Sequence, residues 1–150
     1  TGESGDFHIT RRIFDFNSGE EFYHFNKAKV NDRYVVLLTG KQNGSSKTRI
    51  QIMMIDPVPA GFQIESVISP NNRTDSFKFL PKLDYVNVTE MNDDAFFAAN
   101  FINGSNPMNV AYVIRATTPG AYLATQAVME NMYAPESFGT ADGVAIRVVK

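Results

Sequence analysis

Cysteine is missing from all 150 residues, and with it go disulfides, thiolate nucleophiles and cysteine-type zinc sites. The absence leaves the redox compartment open, since a domain of this length can be stable without covalent staples. Tryptophan is missing as well, and only two histidines occur, His8 and His24, in no metal-ligand spacing. No Gly-x-Ser-x-Gly elbow is present to support nucleophilic catalysis; a hydrolase would need a polar cluster around His8 or His24. No run comes near the roughly 18 apolar residues that a membrane helix requires. Fourteen basic residues against sixteen acidic ones give a net charge of -2. The basic residues are scattered singly or in pairs such as Arg11-Arg12, whereas a phosphate backbone needs a run or face of them. The sequence therefore predicts no nucleic-acid partner, no metal, no cofactor and no catalytic residue.

What is present reads as one globular core, with 43% hydrophobic and 20% charged residues. The small polar run from Thr1 to Asp6 has the composition of a linker, so the expected organisation is a linker over 1–6 and one domain over 7–150, cut from something longer. Period-two alternation recurs: Phe7, Ile9 and Ile13, with Arg11 interrupting the face; Ile50, Ile52 and Met54; Val86 and Val88; Val110, Tyr112 and Ile114; Val144, Ile146 and Val148. Side chains on a strand alternate between faces, so each run offers one face to a core. Tyr34 to Leu38 is continuously apolar, which suits a central strand buried on both sides. Turn clusters such as Asn17-Ser18-Gly19, Asn43-Gly44-Ser45-Ser46, Pro70-Asn71-Asn72 and Asn103-Gly104-Ser105 separate the runs. The spacing predicts an all-β antiparallel sandwich of roughly eight or nine strands in two sheets.

Two stretches have helical propensity instead. Asp93 to Ile102 begins with a plausible N-cap, and Tyr122 to Met132 is rich in Ala, Leu, Gln, Met and Glu. The paired carboxylates Asp93-Asp94 have the chemistry to hold a hard cation, but a hairpin turn after Thr89-Glu90-Met91 explains them as well. Asp56 stands before Pro57, which pushes it into extended geometry. Sequons start at Asn43, Asn72, Asn87 and Asn103, and a chain this rich in Asn, Ser and Thr generates them by chance. Twelve Phe and six Tyr suit core packing better than a sugar-stacking face, because they fall at alternating strand positions.

The segment Glu130-Asn131-Met132-Tyr133-Ala134-Pro135-Glu136 lies between a Thr118-Pro119-Gly120 turn and the closing run from Val144 to Val149. That order resembles the C-terminal domain of bacterial alpha-2-macroglobulin-like proteins. Phe7 to Asp15, with its basic pair followed by an aromatic, is similar to the family's first strand, and Val30 to Leu38 to its next core strand. Asp56-Pro57-Val58-Pro59-Ala60-Gly61-Phe62-Gln63-Ile64-Glu65 is similar to a fairly specific Asp-x-x-Pro-Ala-Gly-aromatic segment. Asn92 to Ala99 resembles a hairpin in which Ala95 stands where arginine is usual. Tyr112 to Gly120, followed by Val128 to Tyr133, is the strongest match. Asn131 stands where the family has an acidic residue or Asn.

The resemblance implies a macroglobulin-like, immunoglobulin-like β-sandwich in which both helix-prone stretches are extended. It also implies a role: in such traps a bait region is cut, the molecule rearranges, and an internal thioester in a helical domain captures the protease. This chain has no cysteine to form that thioester. By resemblance, its partners are the thioester domain and neighbouring macroglobulin domains of a parent chain, with target proteases reached through the parent. The implied setting is the periplasm, with the parent lipid-tethered to the inner membrane. Met132 and Tyr133 are the residues the resemblance assigns to cover the thioester, with Glu130 and Asn131 as interdomain contacts. A flat amphipathic Tyr and a flexible Met suit that task, although the pair also suits anchoring the loop to its own domain. The competing reading is a β-sandwich adhesion or ligand-binding domain of a bacterial surface protein. A Cys-x-Glu-Gln motif upstream in the parent would separate the two.

Overall fold

The computed structural model describes residues 7–22, 27–42, 49–68, 87–91, 95–103, 107–131, 134–141 and 143–150. The described residues form thirteen strands and no helix: β1 (Phe7–Asp15), β2 (Glu21–Phe22), β3 (Lys27–Lys29), β4 (Arg33–Gln42), β5 (Arg49–Pro57), β6 (Phe62–Ile68), β7 (Asn87–Met91), β8 (Ala95–Asn103), β9 (Met108–Ala116), β10 (Gly120–Ala124), β11 (Ala127–Asn131), β12 (Ala134–Ala141) and β13 (Val144–Val149). They make a five-stranded sheet in the order β2-β1-β4-β9-β6, a three-stranded sheet β10-β13-β3, and a second five-stranded sheet β12-β11-β5-β8-β7.

The all-β expectation holds, with three corrections. There are three sheets rather than two, because the chain leaves β10 in one sheet and enters β11 in another across Thr125 and Gln126. One pairing is parallel: β13 runs alongside β3, with Val148 opposite Ala28. The strand number also exceeds the expectation, in part because β2 and β3 are too short to show periodicity.

β4 explains why this sequence folds as it does. It lies between β1 and β9, both antiparallel to it, and its apolar run needs cover on both faces. Tyr34, Val36 and Leu38 enter the main core with Ile52, Met54, Phe96 and Met129 from the sheet opposite. Val35 and Leu37 enter a second cluster with Phe14, Ile68, Ala111 and Val113. The turn into β4 is fixed by its residue types. Asn31 takes a left-handed φ of 74°, which Asn tolerates better than most residues, and its amide donates to the Ala116 carbonyl at 2.8 Å.

Both helix-prone stretches are strands where described. β8 pairs along its length with β5, and β11 lies between β5 and β12. Residues 92–94, with the Asp93-Asp94 pair, lie outside the described residues, as do His24, Val86 and the sequon positions Asn43 and Asn72. Asn87 and Asn103 fall within strands β7 and β8.

Candidate functional site

β11 delivers the chain to the segment singled out from the sequence. Its core-facing Ala127 and Met129 are fully buried, and its pairing with β12 shifts register between Glu130 and Asn131, where Asn131 meets Ala134. A bulge at that point bends the strand and ends regular pairing. Glu130 and Asn131 are both half-buried. As neighbours on a strand they point to opposite faces of the sheet, so they do not converge on one point. Met132 and Tyr133 lie outside the described residues. His8 is exposed on β1 opposite Lys41, and the described residues contain no group of three or more His, Asp or Glu that would hold a metal ion.

Two motifs far apart in sequence meet in space. The Thr117 and Thr118 amides both donate to the Gly61 carbonyl, at 2.8 and 3.3 Å. The Tyr122 hydroxyl donates to the carbonyls of Thr118, at 3.0 Å, and Pro119, at 3.2 Å. The Tyr122 ring lies against Gly61 and leaves no room there for a Cβ. Gly120 has a φ of +151°, a conformation that side chains avoid. The Pro59-Ala60-Gly61 turn and the Thr118-Pro119-Gly120 turn are thus one structural unit, which positions the start of β10.

A charged network joins three residues that each have a sufficient local explanation in the sequence. Arg11 of β1 donates through Nη1 to Asp56 Oδ1 at 2.5 Å and through Nη2 to the Thr125 carbonyl at 3.0 Å. The Tyr112 hydroxyl donates to the other carboxylate oxygen, Asp56 Oδ2. Phe96 stacks on the Tyr112 ring at 4.4 Å between centroids. Asp56 is 1% exposed and the Arg11 side chain 9%. Burial pushes the Asp56 carboxyl above its ordinary value, opposed by the Arg11 charge and the Tyr112 hydrogen bond. Burial also holds the Tyr112 phenol well above its ordinary value, and the Asp56 charge adds to this. An adjoining cavity of about 30 Å³ is lined by these three residues and by apolar side chains such as Val58 and Phe62. It is too small for an organic substrate, and the Arg11, Asp56 and Tyr112 side chains beside it are already bonded. The network staples two sheets together and pins Thr125, where the chain crosses towards β11.

The signal for this network was present in the sequence. Arg11 occupies a core-facing position in the series Phe7, Ile9, Arg11, Ile13, and Asp56 extends Ile52, Met54, Asp56 in the same way. A charge at a core position requires a buried counter-charge, so the two interruptions explain each other. Read locally, Arg11 is only a break in the pattern and Asp56 only a residue before proline.

Comparison with known proteins supplies the wider context. A family model described as the bacterial alpha-2-macroglobulin MG10 domain matches residues 7–136. The chain is 29% identical over 113 residues to an alpha-2-macroglobulin of Xylella fastidiosa strain Temecula1, covering 70% of this chain and 7% of that protein. The crystal structure of Salmonella alpha-2-macroglobulin reacted with methylamine superposes with a TM-score of 0.77 at 25% identity, covering 99% of this chain and 9% of that one. Native Escherichia coli alpha-2-macroglobulin, spanning domain MG7 to the C-terminus, gives a TM-score of 0.78 at 22% identity, with 99% of this chain and 24% of that one covered. The chain thus spans less than a tenth of the length of the Xylella protein. The family match over most of the chain and the shared strand architecture lead to one conclusion: this chain belongs to the bacterial alpha-2-macroglobulin MG10 domain family.

Proposed function

We propose that this chain is the non-catalytic C-terminal module of a bacterial alpha-2-macroglobulin-like protease trap, where it packs against a thioester domain and shields the thioester until a bait region is cut. The family match over residues 7–136 carries the reading, and it includes the whole of the Glu130-to-Tyr133 segment. A thioester exposed to water hydrolyses, so a trap of this kind needs a dry cover over the bond. The chain has no cysteine, so the thioester lies elsewhere in the parent and the cover acts between domains. Met132 and Tyr133 form the cover, and Glu130 and Asn131 support it from the end of β11. The parent works in the periplasm, lipid-tethered to the inner membrane. Amine uptake by the full-length parent tests this reading, measured before and after limited proteolysis of the bait region. Slow uptake by the intact protein and fast uptake after cleavage are expected. Equal rates in the two states would remove any shielding role.

A further inference from the structure

Five of the six edge strands among the described residues carry a feature that blocks further pairing, and β10 does not. Open edges invite another strand, and proteins blunt them with brevity, charge, proline or bulges. β2 has two residues and β3 has three, two of them Lys. β6 carries Glu65 and a register shift between Ile64 and Ser66. β7 carries Glu90 and an irregular register, and β12 carries Pro135 and Glu136. The β10 sequence, Gly120-Ala121-Tyr122-Leu123-Ala124, has neither charge nor proline, and its pairing with β13 is unbroken. No turn, loop or side chain among the described residues hydrogen-bonds the backbone of its other edge. Leu123 on this strand is 66% exposed.

The outward face of the same three-stranded sheet is basic and apolar. Ala28, Ala124, Ile146 and Val148 are buried, so by alternation Lys27, Lys29, Ala121, Leu123, Ala145, Arg147 and Val149 point outward. All but the half-buried Val149 are exposed, and none is acidic. Arg147 lies between Lys27 on β3 and Ala121 on β10. Like charges directly opposite repel, so Lys27 favours a guanidinium turned towards the Ala121 methyl, where no bulk opposes it. Arg147 forms no ion pair with a described residue; Asp15 and Asp32 line a cleft with Lys27 and Lys29, at the β3 end of the sheet. A strand added to β10 sets one residue beside Ala121 and about 10 Å from Arg147, a gap that Glu and Arg side chains close between them. We propose that the free edge of β10 takes up an extended polypeptide segment by strand addition. A Glu or Asp of that segment sits beside Ala121 and pairs with Arg147, and an apolar residue two positions away sits beside Leu123. A phospholipid surface fits less well, because it makes no use of a backbone edge. A second copy of β10 brings no carboxylate. The proposal is independent of the shielding function.

Titration of the isotope-labelled 150-residue chain with a blocked peptide, acetyl-Thr-Val-Thr-Glu-Thr-amide, tests the proposal by amide NMR shifts. The peptide order suits antiparallel addition, the more stable pairing. Shifts should centre on β10 and β13. Arg147→Glu, at an exposed position, should weaken binding about tenfold, and a peptide with Lys in place of Glu should restore it. Leu123→Lys gives β10 a charge of the kind other edges carry and should also block uptake. A ladder uses alternate amides, so N-methylation in one phase should abolish binding and in the other leave it. No shifts at millimolar peptide, shifts centred on another edge, or indifference to Arg147→Glu would overturn the proposal. So would equal binding of both methylated phases, self-association through β10 without peptide, or capture on phosphatidylglycerol vesicles in place of peptide binding.

Discussion

Replacing Arg11 with methionine removes the counter-charge of Asp56 while keeping a side chain of similar length. Asp56 is 1% exposed, so bulk water does not reach its carboxylate, and of the two side-chain bonds it accepts only that from the Tyr112 hydroxyl remains. Breaking a buried ion pair from one side costs roughly 3–5 kcal/mol, a large part of the roughly 5–15 kcal/mol that holds a domain together. With a urea dependence of about 2 kcal/mol per M for a chain of this size, the unfolding midpoint should fall by about 2 M. The double variant Arg11→Met/Asp56→Leu should recover most of that loss, because replacing both charges with apolar groups is often neutral or stabilising. Equilibrium urea unfolding of wild type, single and double variants at pH 7 makes the measurement. A single-variant midpoint within about 0.3 M of wild type, or a double variant no better than the single, would refute the staple.

The remaining predictions concern pH, hydrogen bonding and packing. Burial holds the Asp56 carboxyl above its usual 3.8, so the folded chain keeps that proton to higher pH than the unfolded chain. The group's stabilisation is then full below about 3.8 and declines as pH rises towards the folded value. Unfolding measured across acidic pH should show this decline becoming steeper in Arg11→Met and vanishing in Asp56→Asn. Glu21 behaves oppositely: its hydrogen bond to Arg12 lowers its pKa from 4.5. Its contribution is present above that value and lost as pH falls through the folded pKa, and Glu21→Gln should abolish this component of the acid profile. Tyr112→Phe leaves one buried carboxylate oxygen without its donor and should cost about 1–3 kcal/mol in urea unfolding. Gly61→Ala drives a methyl group into the Tyr122 ring and should cost about 1–3 kcal/mol; adding Tyr122→Ala should then cost less than it does in the wild-type background.

Strands were legible wherever one face is apolar and the other polar, as in β13, and where apolar residues fall on both faces, as in β4 and β9. Period two leaves little ambiguity in such runs. The helix-prone stretches were not legible from composition. Ala98, Ala99, Ala127 and Met129 are good helix formers, yet each is buried in a strand. Pairing with β5 on both of its sides outweighs intrinsic propensity there, and only the family resemblance indicated this. The third sheet left little trace because β3 is a three-residue strand held by a parallel partner far along the chain. The Arg11-Asp56-Tyr112 network was missed for a related reason: a buried ion pair is a long-range fact, and each partner has a sufficient local explanation. Of the four residues assigned to the site, Glu130 and Asn131 fall at a bulge on opposite faces of a strand end. Their separation directs Glu130 outward, opposite Met53 and Phe138.

The central claim is that this domain keeps a reactive bond dry through Met132 and Tyr133. Its most direct test is the methylamine reaction rate of the uncleaved full-length parent, compared between wild type, Tyr133→Gly and Met132→Ala. Removing about 100 Å² of apolar cover is worth about 2 kcal/mol, or about thirtyfold in rate where access limits the reaction. The account predicts an acceleration of that order in Tyr133→Gly, with the thermal transition of this domain nearly unchanged. Unchanged rates in both variants, with folding verified, would contradict it and leave the segment as an anchor for its own sandwich.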